Sequence, residues 1–326
     1  MKCLYLGYET AQWYWEHAAS GSQTLRAQPR CSSLTNPVSS SREVREMVQG
    51  TPFEQVPLHV LMDSPGSMAK GEQGIVFHTH VGSFPRGAFI QLSQRIFVAS
   101  PQLSFIQISR SSSFGRAFRY GCSLCGSFAL SEESEFGIVE RERMLSAYQL
   151  RTFVEAHNDI YGVVAARKVA QYLVDNSASP RETAVLGALS LPLRYGGMGL
   201  SGVSLNRRID IPKKYKLPGK RQFFVADLLW PREKVAVEYD SDAAHAHRYG
   251  IYRDSEKRNT LISMGYTPLC ITSIQLDSPS DFALAADAIR CALGKRRRPV
   301  PKDYDERVAA LRKELGLPWF EGQKTF

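Results

Sequence analysis

The chain has 326 residues, 43% of them hydrophobic, enough for a substantial core and, on length, for two domains rather than one. Lys and Arg number 41 against 32 Asp and Glu, so the formal charge is +9; this points either to an anionic partner, nucleic acid first, or to a plain solvated basic surface. No apolar run is long enough to span a membrane, the start MKCLYLGYETAQWYWEH does not read as a signal peptide, and six cysteines are too few for a disulfide scaffold, so reduced thiols in a cytoplasm are expected.

In chain order, Cys3 to Leu6 reads as a short strand and Thr10 to His17 as an aromatic helix. Residues 19–50, rich in Ser, Gln and Arg, read as a loop or insertion. Residues 57–128 read as a small β-rich unit, with PLHVLM, GIVFHTHV, GAFIQL and RIFVAS as strands and LSFIQISR as a strand or a helix. Residues 142–175 read as helical, which makes 1–175 an α+β domain. A boundary is expected at Asp175 to Ala178. SPRETAVLGALSLP then opens a helix, with Ser179 as N-cap, Pro180 in the first turn and Glu182 three residues after the cap. A strand near Leu205 to Ile211, a basic turn at 213–221, the strands FFVADLL and KVAVEYD, a helix at about 250–264, the strand TPLCIT and a helix at 279–293 follow. The order α-β-β-β-α-β-α predicts a mixed sheet flanked by helices over 176–293. Residues 294–326 read as a basic tail with a terminal helix from Tyr304 to Leu315.

Charge is concentrated in the second half. Residues 203–221 carry Arg207, Arg208, Lys213, Lys214, Lys216, Lys220 and Arg221 against Asp210 alone. The run Lys295, Arg296, Arg297 and Arg298 adds a second patch, and both are candidate phosphate contacts for DNA. Carboxylates sit within this basic frame. On KVAVEYD the side chains alternate, so Glu238 and Asp240 share a face. Asp227 lies one hairpin away, and strand pairing would bring all three together. Hard oxygen donors in that arrangement suit Mg²⁺ or Mn²⁺, while solvated or Arg-paired carboxylates are the plainer reading.

Asp227, ten intervening residues and Glu238-Tyr239-Asp240 resemble the PD-(D/E)XK nuclease core, and within it the branch related to very-short-patch-repair endonucleases. His245, Asp254, Arg258, Leu261 and Gly265 continue that branch's pattern, and Ser179-Pro180-Arg181-Glu182 resembles its helix start. The likeness covers about residues 177–276. It implies an α/β, restriction-endonuclease-like sheet after a smaller α+β N-terminal domain, and a Mg²⁺-dependent DNA endonuclease. Asp227, Glu238 and Asp240 would be metal ligands and His245 would handle protons; Glu182 would either reach the metal shell or complete a capping box. Asp254 and Arg258 would support the site or form a plain salt bridge. The family's usual third core residue, Lys, is Asp240 here, and the Gly after it is Ser241. A regulator that keeps the nuclease fold and cuts nothing is the competing expectation.

Two further motifs stand in the first half. Cys122, Cys125, His78 and His80 offer zinc-ligand types in reversed order, with buried thiols and a half-exposed His pair as the plainer reading. LHVLM, FHTHVGSFPRGAF and IFVASPQLSFIQIS resemble the middle region of type IV abortive-infection antitoxins, which implies a protein partner for the N-terminal domain. The winged helix-turn-helix usual in such regulators is not evident.

Overall fold

The structure, a computed structural model, describes residues 1–19, 29–63, 73–80, 83–215, 221–241 and 248–318, with 248–254 described by their backbone alone. It is a mixed α/β protein of two compact units, Met1–Leu173 and Val174–Phe326. The N-terminal unit is therefore the longer of the two, not the smaller. Among the described residues no helix is long and apolar enough to cross a membrane, and no disulfide joins the six cysteines.

In the N-terminal unit, β1 (Leu4–Leu6), β2 (Arg30–Cys31), β3 (Leu58–Met62), β4 (Ile75–Thr79), β5 (Phe89–Gln91) and β6 (Ile96–Ala99) form one sheet in the order β2-β5-β6-β1-β3-β4. β1 runs parallel to β6 and antiparallel to β3. Helix Tyr8–His17 is fixed to this sheet by Trp15, fully buried, whose indole N–H donates to the Ala99 carbonyl at 2.8 Å. A two-stranded sheet of β7 (Phe128–Leu130) and β8 (Ile138–Glu140) follows.

Two expectations for this half are corrected. Residues 19–50 are not only loop: helix Ser41–Val48 lies within them. Ser40 Oγ accepts the Glu43 N–H, Glu43 accepts the Ser39 N–H in return, and Val44 and Val48, four apart, bury one face. The Ser-rich composition hid that cap and that pair. The stretch 57–128 is not β-rich throughout, because helices Pro101–Ser111 and Phe114–Leu124 fill its second half. Leu103, Phe105, Ile106 and Ile108 are all at most 2% exposed. A helix buried on every side loses the amphipathic period that separates it from a buried strand.

The C-terminal unit follows the expected order: helix Pro180–Ser190, β9 (Ser204–Asp210), β10 (Phe223–Trp230), β11 (Val235–Asp240), helix Arg248–Ser263, β12 (Thr267–Thr272) and helix Pro279–Ala292, with a short helix Ser273–Asp277 before the last. The sheet order is β12-β11-β10-β9; β11 pairs antiparallel with β10 and parallel with β12. β11 is therefore central and covered on both faces, which explains its unbroken run Val235, Ala236, Val237, at most 1% exposed. Burying each Val contributes roughly 1.5–3 kcal/mol relative to exposing it. The basic segment after 294 is no detached tail. Helix Tyr304–Glu314 packs back onto this unit, with Tyr304 Oη donating to the Gly197 carbonyl at 3.1 Å. Gly196 faces the same helix at φ +87°, and a Cβ there would stand 2.2 Å from the Arg307 carbonyl oxygen.

Candidate functional site

The β10–β11 register decides where the acids meet. Leu228 pairs with Val237, so Asp227 falls across from Glu238 at the next position. On the other side, the pairs Arg207 with Ala226 and Leu205 with Leu228 bracket Asn206 across from Asp227. Asn206 has φ +45°, a left-handed conformation that Asn tolerates better than most residues and that interrupts the ladder there. Its side-chain amide donates to Glu182 Oε2 at 2.6 Å and to the Asn176 carbonyl at 2.8 Å. This local break in the ladder, with no residue inserted, lets Asn206 hold the first helix's carboxylate near Asp227.

Asp227 is half-buried. Its Oδ2 accepts the Tyr239 backbone N–H at 2.7 Å. Burial pushes its carboxyl pKa up, against that hydrogen bond and the nearby Lys257 charge, which pull it down. Glu182 is raised as well, by burial first, with Asp227's charge adding to the shift. Glu182 also caps its own helix: Ser179 Oγ accepts the Glu182 N–H at 3.1 Å and Glu182 Oε2 accepts the Ala178 N–H at 3.0 Å. Glu182 therefore serves its own helix start, through the Ala178 N–H rather than the N-cap N–H that a full capping box would use, and its carboxylate feels the Asp227 charge.

Glu238 is ion-paired with Lys257 at 2.5 Å, and the same ammonium donates to the Val225 carbonyl at 2.8 Å. Asp240 ends β11 opposite Thr272. The Cys270 thiol, paired with Glu238 across the β11–β12 ladder, reads the local charge: burial raises its pKa first, Asp240, Glu238 and Asp227 add to that, and Arg258 opposes them. Asp227, Glu238 and Asp240 thus lie toward one end of β10 and β11. Arg181 anchors the helix start by donating to Tyr239 Oη at 3.0 Å and pairing with Asp277 at 2.8 Å.

Lys257 was not among the expected site residues. Position 240 carries Asp, and the cation at this end of the sheet comes from the helix after β11, one residue before Arg258. Lys three residues after Asp254 and one before Arg258 was the available signal.

The basic residues divide. Lys213 and Lys214 sit in a single turn of 3₁₀ helix, Lys213–Tyr215, with Lys214 Nζ 4.6 Å from the Tyr215 ring centroid. Arg221 is exposed just before β10. Lys295 to Arg298 follow helix Pro279–Ala292. His245, Lys216 and Lys220 lie outside the described residues, as does the Asp254 side chain. The zinc-type residues take other partners: His78 bonds His59, His80 stacks on Phe84, and Cys122 and Cys125 are fully buried.

Among the described residues no three His, Cys, Asp or Glu side chains stand together at metal-ligating spacing. In donor chemistry the carboxylate end still suits a hard divalent cation: every candidate donor is a carboxylate oxygen, and burial has raised two of the carboxyl pKa values, a cost that a cation would offset. No family model matches the chain, and neither the curated proteins nor the solved structures contain a match to it.

Proposed function

We propose that the C-terminal unit is a metal-dependent DNA endonuclease domain that hydrolyses phosphodiester bonds, as the resemblance to the repair-endonuclease branch implies. The observation that carries this reading is that Asp227 and Glu238 stand one position beyond the last pair of the β10–β11 ladder, with Asp227 bonded to the Tyr239 N–H and Lys257 bonded to Glu238 and to the Val225 carbonyl. Asp227 and Glu238, with Asp240, would hold Mg²⁺ or Mn²⁺; bound there, the cation lowers the pKa of water and offsets charge on phosphate oxygens. Tyr239's N–H orients the Asp227 carboxylate, and Lys257 orients that of Glu238. The basic residues Lys213, Lys214 and Arg221 supply cations for the DNA backbone on the loop side of β10.

One observation favours the competing reading, a DNA-binding regulator that cuts nothing. Lys257 already offsets the Glu238 charge, so this end of the sheet balances a carboxylate without a metal. Incubating the full chain with supercoiled and linear DNA separates the two. Nicking that requires Mg²⁺ or Mn²⁺, stops with EDTA and is lost in Asp227→Asn supports the enzyme. Retained DNA binding with no cleavage by either protein supports the regulator.

A further inference from the structure

A cleft lies toward the other end of the same sheet. Trp230, at the far end of β10 from Val225, donates its indole N–H to the Leu200 carbonyl at 3.2 Å, and Leu200 and Ser201 form one wall of a cleft of about 540 Å³. That volume falls within the roughly 300–1,000 Å³ usual for small-molecule sites. Leu193, Met198, Leu200 and Val300 give the cleft apolar walls, and Val300 is 45% exposed beside it.

Its cations are unusually dense. Arg290, Lys295, Arg296, Arg297 and Arg298 all line the cleft against one acid, Asp287. Arg290 and Arg297 both pair with Asp287, at 2.8 and 3.4 Å, and Lys295 Nζ donates to the Ser201 carbonyl at 3.0 Å. Arg296 and Arg298 are exposed and make no ion pair among the described residues. Arginine's planar fork suits phosphate oxygens, and five cations facing one carboxylate leave a surplus that a polyanion would balance.

We propose that this cleft binds a small phosphorylated molecule with an apolar body, of nucleotide size, its phosphates on Arg296 and Arg298 and its body on the Leu200 and Val300 side. The cations converge on a bounded concavity with apolar walls, which favours a discrete ligand over a strand of nucleic acid running along an open face. The proposal does not depend on the nuclease reading.

The test is calorimetry on the full chain at near-physiological salt, with ATP as the probe, pyrophosphate and a single-stranded oligonucleotide as comparisons. Saturable one-to-one ATP binding is expected, weakened about tenfold or more in the double variant Arg296→Ala, Arg298→Ala, as expected for charge-assisted phosphate contacts. Asp227→Asn should bind ATP unchanged, and Val300→Asp should weaken ATP more than pyrophosphate. Absence of ATP binding, ATP binding that ignores the double variant, or pyrophosphate binding as tightly as ATP each overturns the proposal. Oligonucleotide binding that needs Arg296 and Arg298 while ATP does not bind would make the cleft part of a nucleic-acid track instead.

Discussion

Lys257 donates to Glu238 Oε2 at 2.5 Å while also holding the Val225 carbonyl, so one ammonium from the helix after β11 ties two strands at their carboxylate end. Lys257→Met removes both contacts and takes this cation from the half-buried Glu238 carboxylate. The two side chains are 22% and 29% exposed, so the pair is only partly screened by water. A loss of about 1–3 kcal/mol is expected, read as a lower urea midpoint. If a divalent cation shares Glu238 with Lys257, Mn²⁺ binding followed by electron paramagnetic resonance tightens in the same variant. Unchanged Mn²⁺ affinity would remove Glu238 from the ligand set.

Asp227 has a structural duty separable from any catalytic one. Its Oδ2 accepts the Tyr239 N–H, and an amide oxygen can accept the same bond. Asp227→Asn should therefore stay within about 1 kcal/mol of the parent in urea, while Asp227→Ala, which leaves a backbone N–H without that acceptor, should lose about 1–3 kcal/mol. DNA nicking should vanish in both. Nicking retained in Asp227→Asn would assign the residue to the fold alone.

The outline of this unit was legible because its signals are local. Ser179 with Glu182 marks a helix start, the turn after Trp230 marks a hairpin, and Gly265, at φ +79°, marks a helix end. The meeting of Asp227 and Glu238 was legible too, since strand alternation and a short hairpin fix the register. Lys257 was not, because a helix residue reaches across to strands that lie 19 and 32 positions earlier, a relation that no period encodes. Helix Ser41–Val48 escaped for a different reason: its composition resembles loop, and only the burial of Val44 and Val48 identifies it.

The N-terminal unit should weaken in acid. His59 Nδ1 lies 2.9 Å from both Glu9 Oε2 and His78 Nε2, and Tyr8, at φ +48°, stacks on His78 at 3.8 Å. Burial, then the neighbouring His59, pushes the His78 pKa from 6.5 down to about 4, with Glu9 opposing. Unfolded chains therefore take up this proton first, and stability falls as pH drops from 6.5 toward 4. Glu9, held below its ordinary value chiefly by His59, adds a loss in the same direction once the pH approaches 4.5. Asp227 and Glu182, both raised, act oppositely in the other unit: their cost is relieved on acidification. His78→Phe keeps a ring against Tyr8 and removes the proton site, so the drop in the N-terminal unit's protease resistance between about pH 7.5 and 5.5 should shrink. An identical drop in the variant would place the acid sensitivity elsewhere.

Arg141 should be among the costliest residues of the N-terminal unit to replace. It is 5% exposed and carries the ends of two helices. Nη1 donates to the carbonyls of Trp15 and Ala18, at 2.6 and 2.8 Å, and Nη2 to that of Ser123 at 2.9 Å. Those carbonyls belong to the last turns of helices Tyr8–His17 and Phe114–Leu124, where the backbone dipoles favour a cation. Burial lowers the guanidinium pKa to about 10, which leaves it charged at neutral pH. Arg141→Met keeps much of the volume and strips donors from three carbonyls, so a loss of about 3 kcal/mol or more is expected in urea. Arg141→Lys retains the charge but not the planar fork that spans both helix ends, and should recover less than half of that loss. Full recovery by Lys would mean that the charge alone, rather than the paired geometry, holds the two helix ends together.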